Sequence, residues 1–173
     1  MLLSYVNLGA CLVYLLSGLF VMGMDPRRKL NRLFLLLALC FSAWSGTNLF
    51  IQQPGISRDS ANLLLHLGAV AWISFPVIVM FFMEELTHSS LLSRGVTRLL
   101  IAVPGVFFFG ARLTGNFFSA LKKTTYGYNV LWQGTWWEWG YNLYFFSYSV
   151  LALWMCWSFI ADAKELSLRR TGQ

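Results

Sequence analysis

The sequence predicts an all-α integral membrane protein: a five-transmembrane-helix bundle, joined by short polar turns, with one short aromatic β-hairpin before the last helix. Three observations carry this. Only 12% of the residues are charged and 57% are hydrophobic, whereas soluble domains run near a quarter charged, so a water-facing surface could not be covered. Apolar stretches recur along the chain at the length of about 20 residues that crosses a hydrocarbon core roughly 30 Å thick. None has the alternating pattern of a barrel strand, and lipid tolerates no unpaired backbone, so each stretch must be a helix.

The first span covers 2–23. MLLSYVNLGACLVYLLSGLFVMGM lacks a basic leading segment and is too long for a signal-peptide core, so it reads as a retained span rather than a cleaved leader. Asp25-Pro26 breaks it, and DPRRKLNRL suits contact with anionic headgroups. The second span, 31–52, ends at Pro54-Gly55 and the third, 62–86, at His88-Ser89-Ser90, both groups of turn formers. Pro76 is expected to kink the third helix. The fourth span covers 97–115. From Asn116 to Gly140 the chain is rich in glycine and aromatic residues. There Tyr126, Tyr128, Val130 and Trp132 alternate, Gln133-Gly134 offers a turn, and Thr135, Trp136 and Trp137 resume, which reads as a hairpin across the outer interface. The same Trp and Tyr residues also suit an aromatic belt at the headgroups. The fifth span, 141–162, completes a transmembrane domain over 1–163, and 164–173 forms a basic tail.

Orientation follows from the basic residues. Arg27, Arg28, Lys29, Arg32, Arg94, Arg98, Lys164, Arg169 and Arg170 fall on one side of the five spans, and Arg58, Arg112, Lys122 and Lys123 on the other. The richer side is expected to be cytoplasmic, which puts the N-terminus outside and the C-terminus inside. Glu84 and Glu85 close the third helix on that side, within reach of Arg94, Arg98 or the first basic loop. The clustering of basic residues between apolar runs argues for membrane topology and against nucleic-acid binding.

The residues exclude most chemistry. Cys11, Cys40 and Cys156 are isolated in apolar runs, with neither zinc nor redox spacing. No Ser/His/Asp set, phosphate-binding glycine loop or HExxH motif is present, so no catalysis, metal or cofactor is expected. His66 and His88 lie 22 residues apart, about 33 Å on one helix, which rules out a haem held by both. A ligand pocket is the remaining prospect. Ser45, Asn48 and Gln52 share one helical face, Asn62 and His66 open the third helix, Arg112 ends the fourth and Asn142 opens the fifth. Asn7 lies at the same depth. Polar groups at that depth usually face a bundle interior or cavity. Asn48, His66 and Arg112, roofed by Tyr126, Trp132 and Trp136, are the expected ligand contacts. Helix capping by Asn62 and snorkelling by Arg112 are the simpler alternatives.

Three stretches carry a family resemblance. DPRRKLNRLFLLLALCFSAW resembles the basic first loop and Trp-bearing second helix of the N-terminal seven-transmembrane sensor region of bacterial histidine kinases. FPVIVMFFMEELT is similar to that family's third helix, and YGYNVLWQGTWWEWGYNLYFFSYSVLALW to its outer hairpin and fifth helix. The resemblance covers the first five helices only. The family continues with two more helices and an output domain, whereas this sequence ends at ADAKELSLRRTGQ, so a truncated sensor or a stand-alone descendant is expected. It implies a sensing role and no residue-level site. The chain is accordingly expected to be a non-catalytic sensing module of the bacterial inner membrane, in which Pro76, Lys164, Arg169 and Arg170 relay the signal. Its expected partners are membrane lipids, a small hydrophobic or amphipathic ligand, and a second copy or larger membrane complex. The alternative is an accessory membrane subunit with no ligand of its own.

Overall fold

The computed structural model describes residues 2–89, 95–115, 121–131 and 134–171, with side chains described over 3–89 and as far as residue 161 in the last helix. Five helices form: α1 (Leu2–Met24), α2 (Lys29–Ile51), α3 (Arg58–Thr87), α4 (Gly95–Leu113) and α5 (Trp136–Thr171). Each is long and apolar enough to cross a membrane. Two strands, β1 (Leu121–Thr124) and β2 (Gly127–Val130), pair antiparallel between α4 and α5.

Two helices, α3 and α5, start four or five residues earlier than hydropathy alone suggests, and local capping explains both. Ser57 Oγ accepts from the Ser60 N–H at 3.1 Å, so α3 begins at Arg58 rather than at 62. Ahead of α5, Thr135 and Glu138 form a reciprocal capping box. Thr135 Oγ1 accepts from the Glu138 N–H at 3.4 Å, and Glu138 Oε2 accepts from the N–H groups of Thr135 and Gly134 at 3.2 and 2.6 Å. These bonds satisfy donors that the first turn of any helix leaves open. Helix α5 therefore starts at Trp136 and also runs past 162 without a break, to Thr171.

The hairpin corrects the expected one in register. Its turn is Thr125-Tyr126, with Thr124 opposite Gly127 and Leu121 opposite Val130. Gln133, the first residue of the expected turn, lies outside the described residues, and Trp136 and Trp137 belong to α5. The reason is packing. Gly127, at φ 99°, presses against the end of α2, where an added Cβ would stand 2.3 Å from the Ile51 carbonyl oxygen. Leu121 and Tyr128 are buried beside it among Ile51, Ala61 and Leu65. The capping box meanwhile claims Thr135 to Glu138 for the helix.

Helix α3 is central, packing on α2, α4 and α5, while α1 packs on α2. Lipid tails are as apolar as leucine, so close approach and hydrogen bonds must supply the helix association. Gly68 of α3 meets Thr47 of α2. Ser42 donates to the Cys11 carbonyl at 3.1 Å, and Asn7 Nδ2 donates to Gln52 Oε1 at 3.2 Å, both joining α1 to α2. At the opposite, basic end, Lys29 pairs with Glu85 at 2.6 Å and Arg98 with the buried Glu84 at 2.7 Å. The expected role of the two glutamates is found, and it fastens α2, α3 and α4 together.

Candidate functional site

Two prolines shape the centre of the bundle. Pro76 in α3 has no N–H to give the Trp72 carbonyl, and its ring crowds that carbonyl out of line. Helix α5 repairs the gap. Tyr141 donates to the Trp72 carbonyl at 3.0 Å and Tyr144 to the Ile73 carbonyl at 3.2 Å. Tyr148 donates to the Ile101 carbonyl of α4 at 2.7 Å, three residues before Pro104. Spacings of three and four put the three tyrosines on one face of α5. The ladder fixes α5 against both proline-bearing helices and holds Tyr141 edge-on to Trp72, with ring centroids 4.6 Å apart at 82°.

Beside this ladder a cleft of about 360 Å³ opens between α2, α3 and α5. Its walls are mainly aromatic. Phe41 and Trp44 come from α2, Trp72 and Phe75 from α3, and Tyr141 and Phe145 from α5. Cys40, Leu65, Asn142 and Val130 complete the lining, Val130 bringing the hairpin to one end. The rings brace one another across the helices: Phe41 lies edge-on to Phe75 at 4.8 Å, Phe75 stacks with Phe145 at 5.9 Å, and Trp44 is edge-on to Trp72 at 6.2 Å. Leu65 to Phe75 spans about 15 Å of α3 at 1.5 Å per residue. Phe41, Trp44 and Phe145 keep roughly two fifths of their surface exposed, so the cleft opens sideways between the helices. Among the described residues no charged side chain lines it. Such a site can hold a small apolar molecule, and its size falls in the range of ordinary ligand pockets.

The polar residues expected to form a pocket do not gather around this cleft. Asn48 is half-buried on α2, and His66 is exposed on α3. His66 lies within electrostatic reach of Arg112, which is buried in the last turn of α4. None of the three lines the aromatic cleft. Tyr126 stands exposed at the hairpin turn, beside a separate cleft lined by Tyr5, Gln52, Gln53 and Pro54. Trp136 is exposed and lies over Trp137 at 3.8 Å. Trp132 lies outside the described residues. Pro76 is buried next to Phe75 of the cleft, while Lys164, Arg169 and Arg170 fall on the last turns of α5, where side chains are not described.

The cleft escaped the sequence reading because polarity served as the marker for a cavity. The usable signal was a recurrent aromatic pair: Phe41 with Trp44, Trp72 with Phe75, and Tyr141 with Phe145, each three or four residues apart. On a spanning helix that spacing puts two large rings on one face. Among the described residues no group of three His, Cys, Asp or Glu side chains comes together to hold a metal ion, and the three cysteines are unbridged. Comparison with protein-family models, with curated proteins and with solved structures finds no match to this chain.

Proposed function

We propose that this protein is a non-catalytic sensing module of the bacterial inner membrane, similar in plan to the input region of sensor histidine kinases. An apolar ligand occupies the aromatic cleft and moves α5. The observation that carries the reading is the continuity of α5. Tyr141, Asn142 and Phe145 line the cleft, and the same helix runs unbroken to Thr171. Its 36 residues make about 54 Å, against roughly 30 Å of hydrocarbon. A shift at the cleft therefore travels along one rod to the segment that holds Lys164, Arg169 and Arg170. The excess of basic residues at that end supports placing it in the cytoplasm, with the hairpin outside. Exposed Trp136 and Trp139 at the hairpin end suit the opposite headgroup layer.

The test is an environment-sensitive fluorophore at position 164 of a chain whose three cysteines have been replaced. A lipid extract of the source membranes should shift its emission in the otherwise wild-type chain. The shift should vanish in Asn142→Trp, which fills the cleft. An unchanged emission in both, with a stoichiometric protein partner retained through purification, would favour an accessory subunit instead.

A further inference from the structure

We infer that the cleft selects an uncharged planar ring bearing a carbonyl or hydroxyl and an apolar tail, the chemistry shared by quinone-type lipids and their reduced forms. This rests on the cleft being the input site.

Three features of the lining converge on that class. The first is shape. Six aromatic side chains form the walls between α2, α3 and α5. Offset and edge-to-face packing rewards a flat π-system over a saturated chain, which aliphatic walls would hold equally well. The second is charge. With no carboxylate, ammonium or guanidinium among the described residues of the lining, a charged head group would lose its hydration with no counter-charge to replace it, so an ionic amphiphile is rejected.

The third is Asn142. It lies six residues into α5, about 9 Å along the axis from Trp136. Its amide makes no side-chain hydrogen bond among the described residues, and it is exposed in the cleft lining. It offers both two N–H donors and a carbonyl acceptor. A ring carbonyl would accept from Nδ2, and a ring hydroxyl would donate to Oδ1. The ring then lies toward the hairpin end, and the tail leaves sideways past Phe41 and Phe145 into the acyl chains. The ligand reaches the site through the bilayer rather than from water.

The experiment uses the full chain in phosphatidylcholine nanodiscs and radiolabelled decyl-benzoquinone, counted as saturable binding above protein-free discs. One probe per chain is expected. Unlabelled neutral decyl-benzoquinone or its hydroquinone should displace it, and whichever does so at lower concentration identifies the form the amide reads. Decanol and the 4-decylbenzoate anion should not displace it. Asn142→Leu, which keeps the bulk and removes the amide, should weaken binding about tenfold; Asn142→Trp should abolish it. Displacement by decanol as readily as by the ring compounds would overturn ring selection while leaving the sensing reading in place. Undiminished binding in Asn142→Trp would overturn the cleft as the site and the sensing reading with it.

Discussion

At the scale of single residues, the bond from Tyr141 to the Trp72 carbonyl joins a defect in one helix to a hydroxyl on another. A carbonyl without a partner in hydrocarbon costs several kcal/mol, and Pro76 creates that vacancy. A buried phenol without an acceptor is also costly. Each therefore accounts for the other. Interhelical hydrogen bonds in membranes contribute about 0.6–2 kcal/mol, so Tyr141→Phe should lower stability by about that much. In a Pro76→Ala background the new backbone N–H restores the helical partner of Trp72, and the same Tyr141→Phe change should cost less than about 0.5 kcal/mol. A double-mutant cycle in mild detergent measures the coupling. Equal costs in both backgrounds would refute the link. Pro76 was legible in the sequence as a proline inside a helix, and the repair of its missing donor was not, because Tyr141 lies 65 residues further along the chain.

At the scale of elements, the five helices were legible to within a few residues because length and apolarity suffice to define them. Their ends were less so. Thr135-Trp136-Trp137-Glu138 has the spacing of a capping box, and that signal was present in the sequence beneath the aromatic alternation that suggested a strand. Glu138→Ala should remove acceptors for two N–H groups and cost about 1 kcal/mol, seen as faster amide exchange over the first turn of α5. β1 is LKKT, a strand by tertiary contact rather than by pattern, since Leu121 and Tyr128 of the paired strand find burial only against α2 and α3. Gly127→Ala places a methyl group against the Ile51 carbonyl at a positive φ. The hairpin should detach from α2, and proteolysis between β1 and β2 should accelerate while the helical circular dichroism stays within a few per cent.

Across the whole molecule, α3 is the frame, with the ion pairs of Glu84 and Glu85 at one end, the hairpin docked at the other, and the aromatic cleft between. The candidate site was the least legible part of the chain. In water a binding site is marked by polar groups gathered against an apolar background. Here the background is apolar throughout, and the cleft differs from lipid-facing surface only in the shape of its walls, which long-range packing decides. His66 lies within electrostatic reach of Arg112, but neither lines that cleft. The orientation proposed for the bundle has its own check. Cysteine at position 27 should react with a membrane-impermeant maleimide only after the cells are opened, and cysteine at position 122 in intact spheroplasts.

The central claim is that the cleft between α2, α3 and α5 holds a specific lipophile. The most direct measurement is mass spectrometry of the small molecules that remain with the chain when it is excised from its own membrane in polymer-bounded discs. The account predicts one uncharged, ring-bearing lipophile enriched to nearly one per chain in the wild type and lost from Asn142→Trp. Identical lipid profiles from the two proteins would contradict it.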